Sequence, residues 1–295
     1  MQLQAEAKLR PLILVDRRGY FELQEYIEKK KSAIMRPFRE LVKDMQSLVT
    51  IENSKRIIQL GGLPNDMRDG WLKMITATVT DGIMPASEKT GIEAHEKIRA
   101  KIERARKGGI LSPLVAIANW VKERGGELIT NLTVAQMANA QAIIHHQVIW
   151  NVTSPYQLAR VIRPAVGLTQ REAVAVSRFY SGLLESGVGE KAASAQLEKY
   201  ANYLHRVRSE RIARTEISNA YNFGQWESIR NAQETGLIDG EVEKAWIAGG
   251  PNPCDDCLGN EDEGLIPMNQ DFSSGHSMPT AHPCCACSVG YQVRR

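Results

Sequence analysis

The first 253 residues of this 295-residue chain contain no cysteine. All five cysteines fall between Cys254 and Cys287. That gap excludes a disulfide framework for most of the chain, and the odd count would leave one thiol over even in the tail. No apolar run approaches the length that spans a bilayer. The amino end, Met1 to Glu6, lacks the basic-then-apolar profile of a signal peptide. In a chain read as unexported, clustered cysteines point to a metal rather than to disulfides. One-signed charge is also missing: the formal net charge is +3, so nothing global demands nucleic acid as a partner. Internal repeats and low-complexity tracts are absent. Hydrophobic and charged contents of 43% and 24% are those of an ordinary globular protein of one large or two modest domains.

What is present over residues 19–236 is helical periodicity. Tyr20 to Thr50 reads as one long amphipathic helix, with Leu23, Ile27, Ile34, Phe38, Leu41, Met45 and Leu48 at three-four spacing and Pro37 as its kink or break. Asn65 caps a helix carrying Trp71, Leu72, Ile75 and Val79. A charged helix over Glu93–Lys107 should stop at Gly108-Gly109, and one opened by Ser112-Pro113 should stop at the glycine pair after Arg124. Thr133 begins a further helix to Ile149, and Ser154-Pro155 a short one ending near Arg163-Pro164. Thr169 and Glu172 have capping-box spacing. Lys191 to Thr235 reads as one very long helix, or two in close succession, stopped by Gly236.

Beyond Gly236 the texture changes. Glu243–Ala248 reads as a short strand, and Val289–Val293 as a second strand that could pair with it. The expected fold class is therefore mainly α: a multi-helix body followed by a small, irregular, β-containing module stabilised by zinc. The change of texture places a boundary near 236–242, ahead of a Cys/His-rich module over 241–295.

The tail carries the chemistry. Cys254 and Cys257 have the C-x-x-C spacing that lets two sulfurs face one ion across a tight turn. The other ligands should come from His282, Cys285 and Cys287, and spacing leaves open which of them complete the set. Cys285 and Cys287 point to the same side of an extended backbone, which favours four thiolates, whereas His282 would give three thiolates and an imidazole. Cys284 points the other way and reads as a bystander. Glu261, Asp262 and Glu263 lie in the intervening loop with no spacing that orients them. A rival reading takes Asn269, His276 and His282 as a metal-dependent nuclease of the His-Asn-His type. The Asp/Glu-His strand signature of that fold is missing here.

Upstream, Arg211 to Asn222 forms an unusually polar helical stretch. Arg214, Ser218 and Tyr221 share one face, and Thr215, Asn219 and Asn222 an adjacent one. Such a face suits hydrogen bonding to the backbone of an irregular tail. Lys97, Lys101 and Arg104 share another helix face that could neutralise phosphates, giving candidate DNA-contact residues whose binding would weaken with salt.

Ile212-Ala213-Arg214-Thr215-Glu216, a Trp-containing strand, Cys-x-x-Cys and a terminal His-Pro-x-Cys-x-Cys together resemble the phage Mu F-like head morphogenesis family, minor capsid proteins of tailed phages. The resemblance runs from about Thr133 to the C-terminus. It further implies a variable helical region over 1–130 and a helical core over 131–240. The family pattern ends in Pro-Pro, one residue, then His-Pro-Asn-Cys-Arg-Cys. This chain departs from it with Thr280 for a Pro, Cys284 for the Asn and Ala286 for the Arg. The resemblance implies a non-enzymatic virion protein that associates with the portal protein and other head components. It would act inside or at the portal vertex of the head, reached from the host cytoplasm during assembly, and would assist head assembly or DNA delivery. Arg214, Thr215 and Glu216 become the residues expected to brace the tail. Structural zinc is the expected cofactor, non-specific DNA contact a further expectation, and no membrane segment is expected. The sequence continues only eight residues past Cys287, so no fused enzyme of the kind some relatives carry is expected.

Overall fold

A computed structural model describes residues 17–105, 114–149 and 154–294. Among them the chain is mainly helical, with a small antiparallel sheet near its carboxyl end. The helices are α1 (Arg17–Lys30), α2 (Ser32–Ser47), α3 (Ile51–Leu60), α4 (Asn65–Thr78), α5 (Met84–Ala105), α6 (Leu114–Ile149), α7 (Pro155–Ala165), α8 (Gln170–Glu185), α9 (Glu190–Glu234) and α10 (Asp255–Asp262). The strands are β1 (Glu241–Ile247), β2 (Leu265–Pro267) and β3 (Ser288–Arg294).

The chain forms two compact units, neither contiguous in sequence. The first gathers residues up to Lys31, then Ala86–Val121 and Ile212 onward; the second takes Ser32–Pro85 and Lys122–Arg211. The expected segment break at 130/131 falls inside α6, and that at 240/241 coincides with the start of β1.

Several helix boundaries differ from the sequence reading. The long amphipathic run from Tyr20 breaks at Lys31, between α1 and α2, and not at Pro37. Pro37 lies in the second turn of α2, where it costs one backbone bond, and its ring fills the space where Gly82 has no side chain. The helices after Asn65 and before Lys107 are one run, joined by a π-helical turn at Val79–Ile83. The glycine pair Gly125-Gly126 does not end a helix; α6 passes straight through it. A Cβ at Gly125 would lie 2.4 Å from Met84 Sδ, so the glycine serves close packing against the start of α5.

Other expectations hold as read. Thr169 and Glu172 form a reciprocal capping box at the start of α8. α9 is a single helix of 45 residues. It ends where Gly236 adopts φ of +71°, letting the Gly236 and Leu237 N–H groups turn back to the carbonyls of Gln233 and Ala232.

The first unit carries the site. At its centre α5 and α9 cross with backbones nearly touching: a Cβ on Gly224 would lie 2.2 Å from the Gly91 carbonyl oxygen. Beside this crossing Trp120 stacks on Phe223 with ring centroids 4.6 Å apart. Below it, Ile98, Ile102, Ile229, Ala232 and Ile238 pack with Val242, Met268, Val289 and Tyr291 of the sheet region. The sheet has order β2-β1-β3, all antiparallel. Glu241 pairs with Arg294 and Ile247 with Ser288, while Glu243 pairs with Pro267. The two strands read from the sequence therefore pair as expected; β2 and α10 occupy the stretch read as loop.

Because the contact at Gly224 is backbone against backbone, no side-chain rotation relieves it. Gly224→Ala should gain about 1 kcal/mol of helix propensity and lose more through overpacking, for a net destabilisation of about 2 kcal/mol. Urea unfolding of the two proteins measures the difference.

Candidate metal centre

The module after α9 has little regular structure, so its backbone groups must find partners elsewhere. Some come from its own acids. Glu261 Oε1 accepts the Ala248 N–H at 3.0 Å, and Glu263 Oε1 accepts the Ser273 N–H at 2.8 Å. These two loop carboxylates are structural acceptors. Others come from α9. Thr215 Oγ1 accepts the Cys284 N–H at 3.0 Å, Asn219 Oδ1 accepts the Thr280 hydroxyl at 2.6 Å, and Asn222 Nδ2 donates to the Pro279 carbonyl at 3.1 Å. The stripe Thr215–Asn219–Asn222 thus runs alongside the stretch 279–284 and holds it at three points.

Arg214, expected to brace the tail, reaches α1 instead: its guanidinium pairs with Glu28 and donates to Gln24 Oε1. Gln24 then passes the link on, its Nε2 donating to the Ala286 carbonyl at 3.1 Å. Glu216 is buried on α9. Gly249 completes the clamp. A Cβ there would lie 2.4 Å from the Tyr20 ring and 2.5 Å from the Ala286 carbonyl oxygen, so only glycine fits between α1 and the segment Cys285–Cys287.

Thr280, Cys284 and Ala286 differ in how the frame holds them. Thr280 supplies a hydroxyl donor to Asn219 that a proline would lack. Residue 286 is held through its backbone carbonyl, which is present whatever the side chain. Cys284 sits at φ of +62°, the left-handed region that Asn tolerates better than Cys.

This frame brings five donors together. Cys254, Cys257 and His282 form one group whose ligand atoms all lie within 4.8 Å of one another; Cys257, Cys285 and Cys287 form a second. Cys257 belongs to both. Its sulfur lies 3.8 Å from His282 Nε2 and 3.7 Å from the Cys285 sulfur. Two thiolates on one zinc at about 2.3 Å each would be about 3.8 Å apart, so the spacing fits a tetrahedral edge. Cys284, the expected bystander, is exposed and stands outside both groups. The cluster can hold a metal ion.

The surroundings push the thiols in opposite directions: Cys254 and Cys285 toward the thiolate, Cys257 (by burial first) and Cys287 toward the thiol. Cys254 is the N-cap of α10. Its thiol is held below the usual range against the opposing effect of burial, chiefly by the Cys257 N–H. Cys285 is pulled down to about 5, first by the Cys287 thiol and then, against burial, by the N–H groups of Cys287 and Ala281. Cys287 is correspondingly pushed up, first by its bond to Cys285 and then by burial, with the Gly249 N–H opposing the shift. His282 Nδ1 lies 3.0 Å from the Pro283 carbonyl. That bond fixes the proton on Nδ1, turns the Nε2 lone pair toward Cys257, and is the main cause of the ring's raised pKa. Trp246 and Phe272, edge to face at 5.2 Å, form the apolar wall behind the sulfurs.

The residues of the nuclease reading occupy separate settings. His276 Nδ1 shares a hydrogen bond with Ser274 Oγ at 3.1 Å, Asn269 lines a cavity beside Trp226 and Met268, and only His282 joins the thiols. Of the candidate DNA contacts, Lys97 Nζ lies over the rings of Tyr26 and Tyr221 at 5.1 and 5.5 Å. Lys101 lines a small cleft with Glu22 and Tyr221, and the Arg104 side chain lies outside the described residues.

Sequence reasoning missed Lys244. Its side chain is fully buried on β1, with Nζ donating to the Ser277 carbonyl at 2.6 Å and lying 5.2 Å from the Phe272 ring centroid. Strand alternation would have placed it inside; its charge argued the other way. No helix among the described residues is long and apolar enough to cross a membrane. No protein-family model, curated protein or solved structure matches the chain.

Two outcomes follow from this geometry. Cys257→Ser, which breaks both groups, should abolish stoichiometric metal binding, whereas Cys284→Ser should leave it unchanged; metal content per chain by elemental analysis checks both. Burial lowers Lys244 from 10.5 to about 8, with Asp271 opposing the shift. Between those values the unfolded chain keeps a proton that the folded chain has released, so the Lys244 contribution to stability should rise with pH over that window. An NMR titration of the Lys244 amine near 8 would confirm the shift that drives it.

Proposed function

We propose that the chain is a structural, non-enzymatic minor capsid protein of a tailed phage. In this reading it associates with the portal protein and other head components and assists head assembly or DNA delivery from the portal vertex. The carboxyl-terminal module is its docking element, and structural zinc keeps that element in one shape. Zinc with four protein ligands supplies fixed bonds and no open coordination position.

One observation carries the reading. The motif pieces that resemble the Mu F-like family are scattered along the sequence, yet they close on one another. Thr215 of the Arg-Thr-Glu run bonds the backbone of Cys284, 69 residues away, beside the thiols of Cys-x-x-Cys and Cys-x-Cys. The same residues that make the resemblance therefore make one module. The side chains around the thiols act as braces and backbone acceptors, which is what a rigid element needs. Such a tail would gain its folding energy with the metal and lose it with a chelator.

The test is to purify phage particles and heads from infected cells and follow this chain through them. It should travel with the portal at low copy, and Cys254→Ser should stop its incorporation. Finding the chain free in lysate, with metal-dependent DNA cleavage that His276→Ala abolishes, would overturn the reading.

A further inference from the structure

Five donors surround a site that needs four. They divide by depth. In the group Cys254, Cys257 and His282, the cysteines are half-buried and buried, and the histidine is exposed. In the group Cys257, Cys285 and Cys287 all three are buried, at 1%, 4% and 1% exposure.

They divide also by anchorage. The Cys285 sulfur takes the N–H groups of Cys287 and Ala281 and the Cys287 sulfur that of Gly249, and the pair leads directly into β3. The Cys254 sulfur takes the N–H of Cys257 at the start of α10. The His282 ring is held by the carbonyl of its own chain neighbour, Pro283. The imidazole is thus the outermost donor and the one held most locally, while Cys257 touches both groups.

We propose that His282 is a loading ligand. Cys254, Cys257 and His282 capture a divalent ion at the surface. The Cys285 and Cys287 sulfurs then displace the imidazole to leave a set of four thiolates: Cys254, Cys257, Cys285 and Cys287. Two thiol protons leave to solvent as Cys254 and Cys257 take the ion. Further protons leave as the inner pair engages, and His282 Nε2 is released neutral. Binding at the outer group lowers the barrier to exchange in both directions, so it changes rates and leaves affinity alone. The inference rests on the metal-binding reading above.

The test uses the full-length, metal-stripped chain and Co²⁺, whose sulfur-to-metal charge-transfer band grows with each bound thiolate. The wild type should saturate at one ion with the intensity of four thiolates. His282→Ala and His282→Gln should reach the same spectrum and the same affinity, while uptake and release to a chelator both slow by about tenfold or more, the effect of about 1.4 kcal/mol on a barrier. Cys287→Ser should reach only three thiolates. A three-thiolate wild-type spectrum, a changed end-point spectrum in the His282 variants, or unchanged rates in them would overturn the loading role. A wild-type chain that binds no Co²⁺ would overturn the metal-binding reading itself.

Discussion

The Cys257 sulfur is the point at which the module closes. It stands between an outer pair of donors and an inner pair, within 3.8 Å of one member of each. The stretch from Gly249 to Cys287 contains one short helix and a three-residue strand, too little regular structure to satisfy its backbone or bury much apolar surface. A chain in that position is held by covalent links, by metal, or by side chains from a stable neighbour. Here the thiols and the polar stripe of α9 act together. The stripe fixes where residues 279–284 lie, and the thiols fix how the two ends of the segment meet.

That stripe can do its work because α9 is itself immobilised. The bare backbone approach of Gly91 and Gly224 sets the crossing of α5 and α9, and the Trp120–Phe223 stack and the isoleucine layer below it leave α9 little freedom to rotate. α1 adds a second clamp, from Arg214 through Gln24 to the Ala286 carbonyl, with Tyr20 against Gly249. The placement of the sulfurs is thus inherited from helix packing some distance along the chain. Removing the metal would leave that helical frame in place and free only the segment it holds.

The parts legible in the sequence are those governed by local rules. The capping box at Thr169, the run of α9 to Gly236, the β1–β3 pairing and the convergence of the Cys/His residues all follow from spacing over a few residues. The misreadings come where tertiary packing reverses a local rule. Gly125-Gly126 looks like a stop, but Met84 occupies the space that a side chain at Gly125 would need. Pro37 looks like a break, but it packs on Gly82 while the chain turns at Lys31. Arg214 has the reach to cover the tail and takes partners on α1 instead, because Glu28 and Gln24 lie there. Lys244 follows the strand alternation against its charge, whereas the bridging role of Gln24 carries no spacing signal, since it depends on which distant segments meet.

The most direct measurement is hydrogen exchange across the chain, with zinc and after chelation. Amides between Cys254 and Cys287 should be protected with metal and exchange fast without it, while those of α5 and of α9 up to Phe223 stay protected in both. Equal protection of the tail in the two states would show that the sulfur cluster does not hold it, and would contradict the account of the module given above.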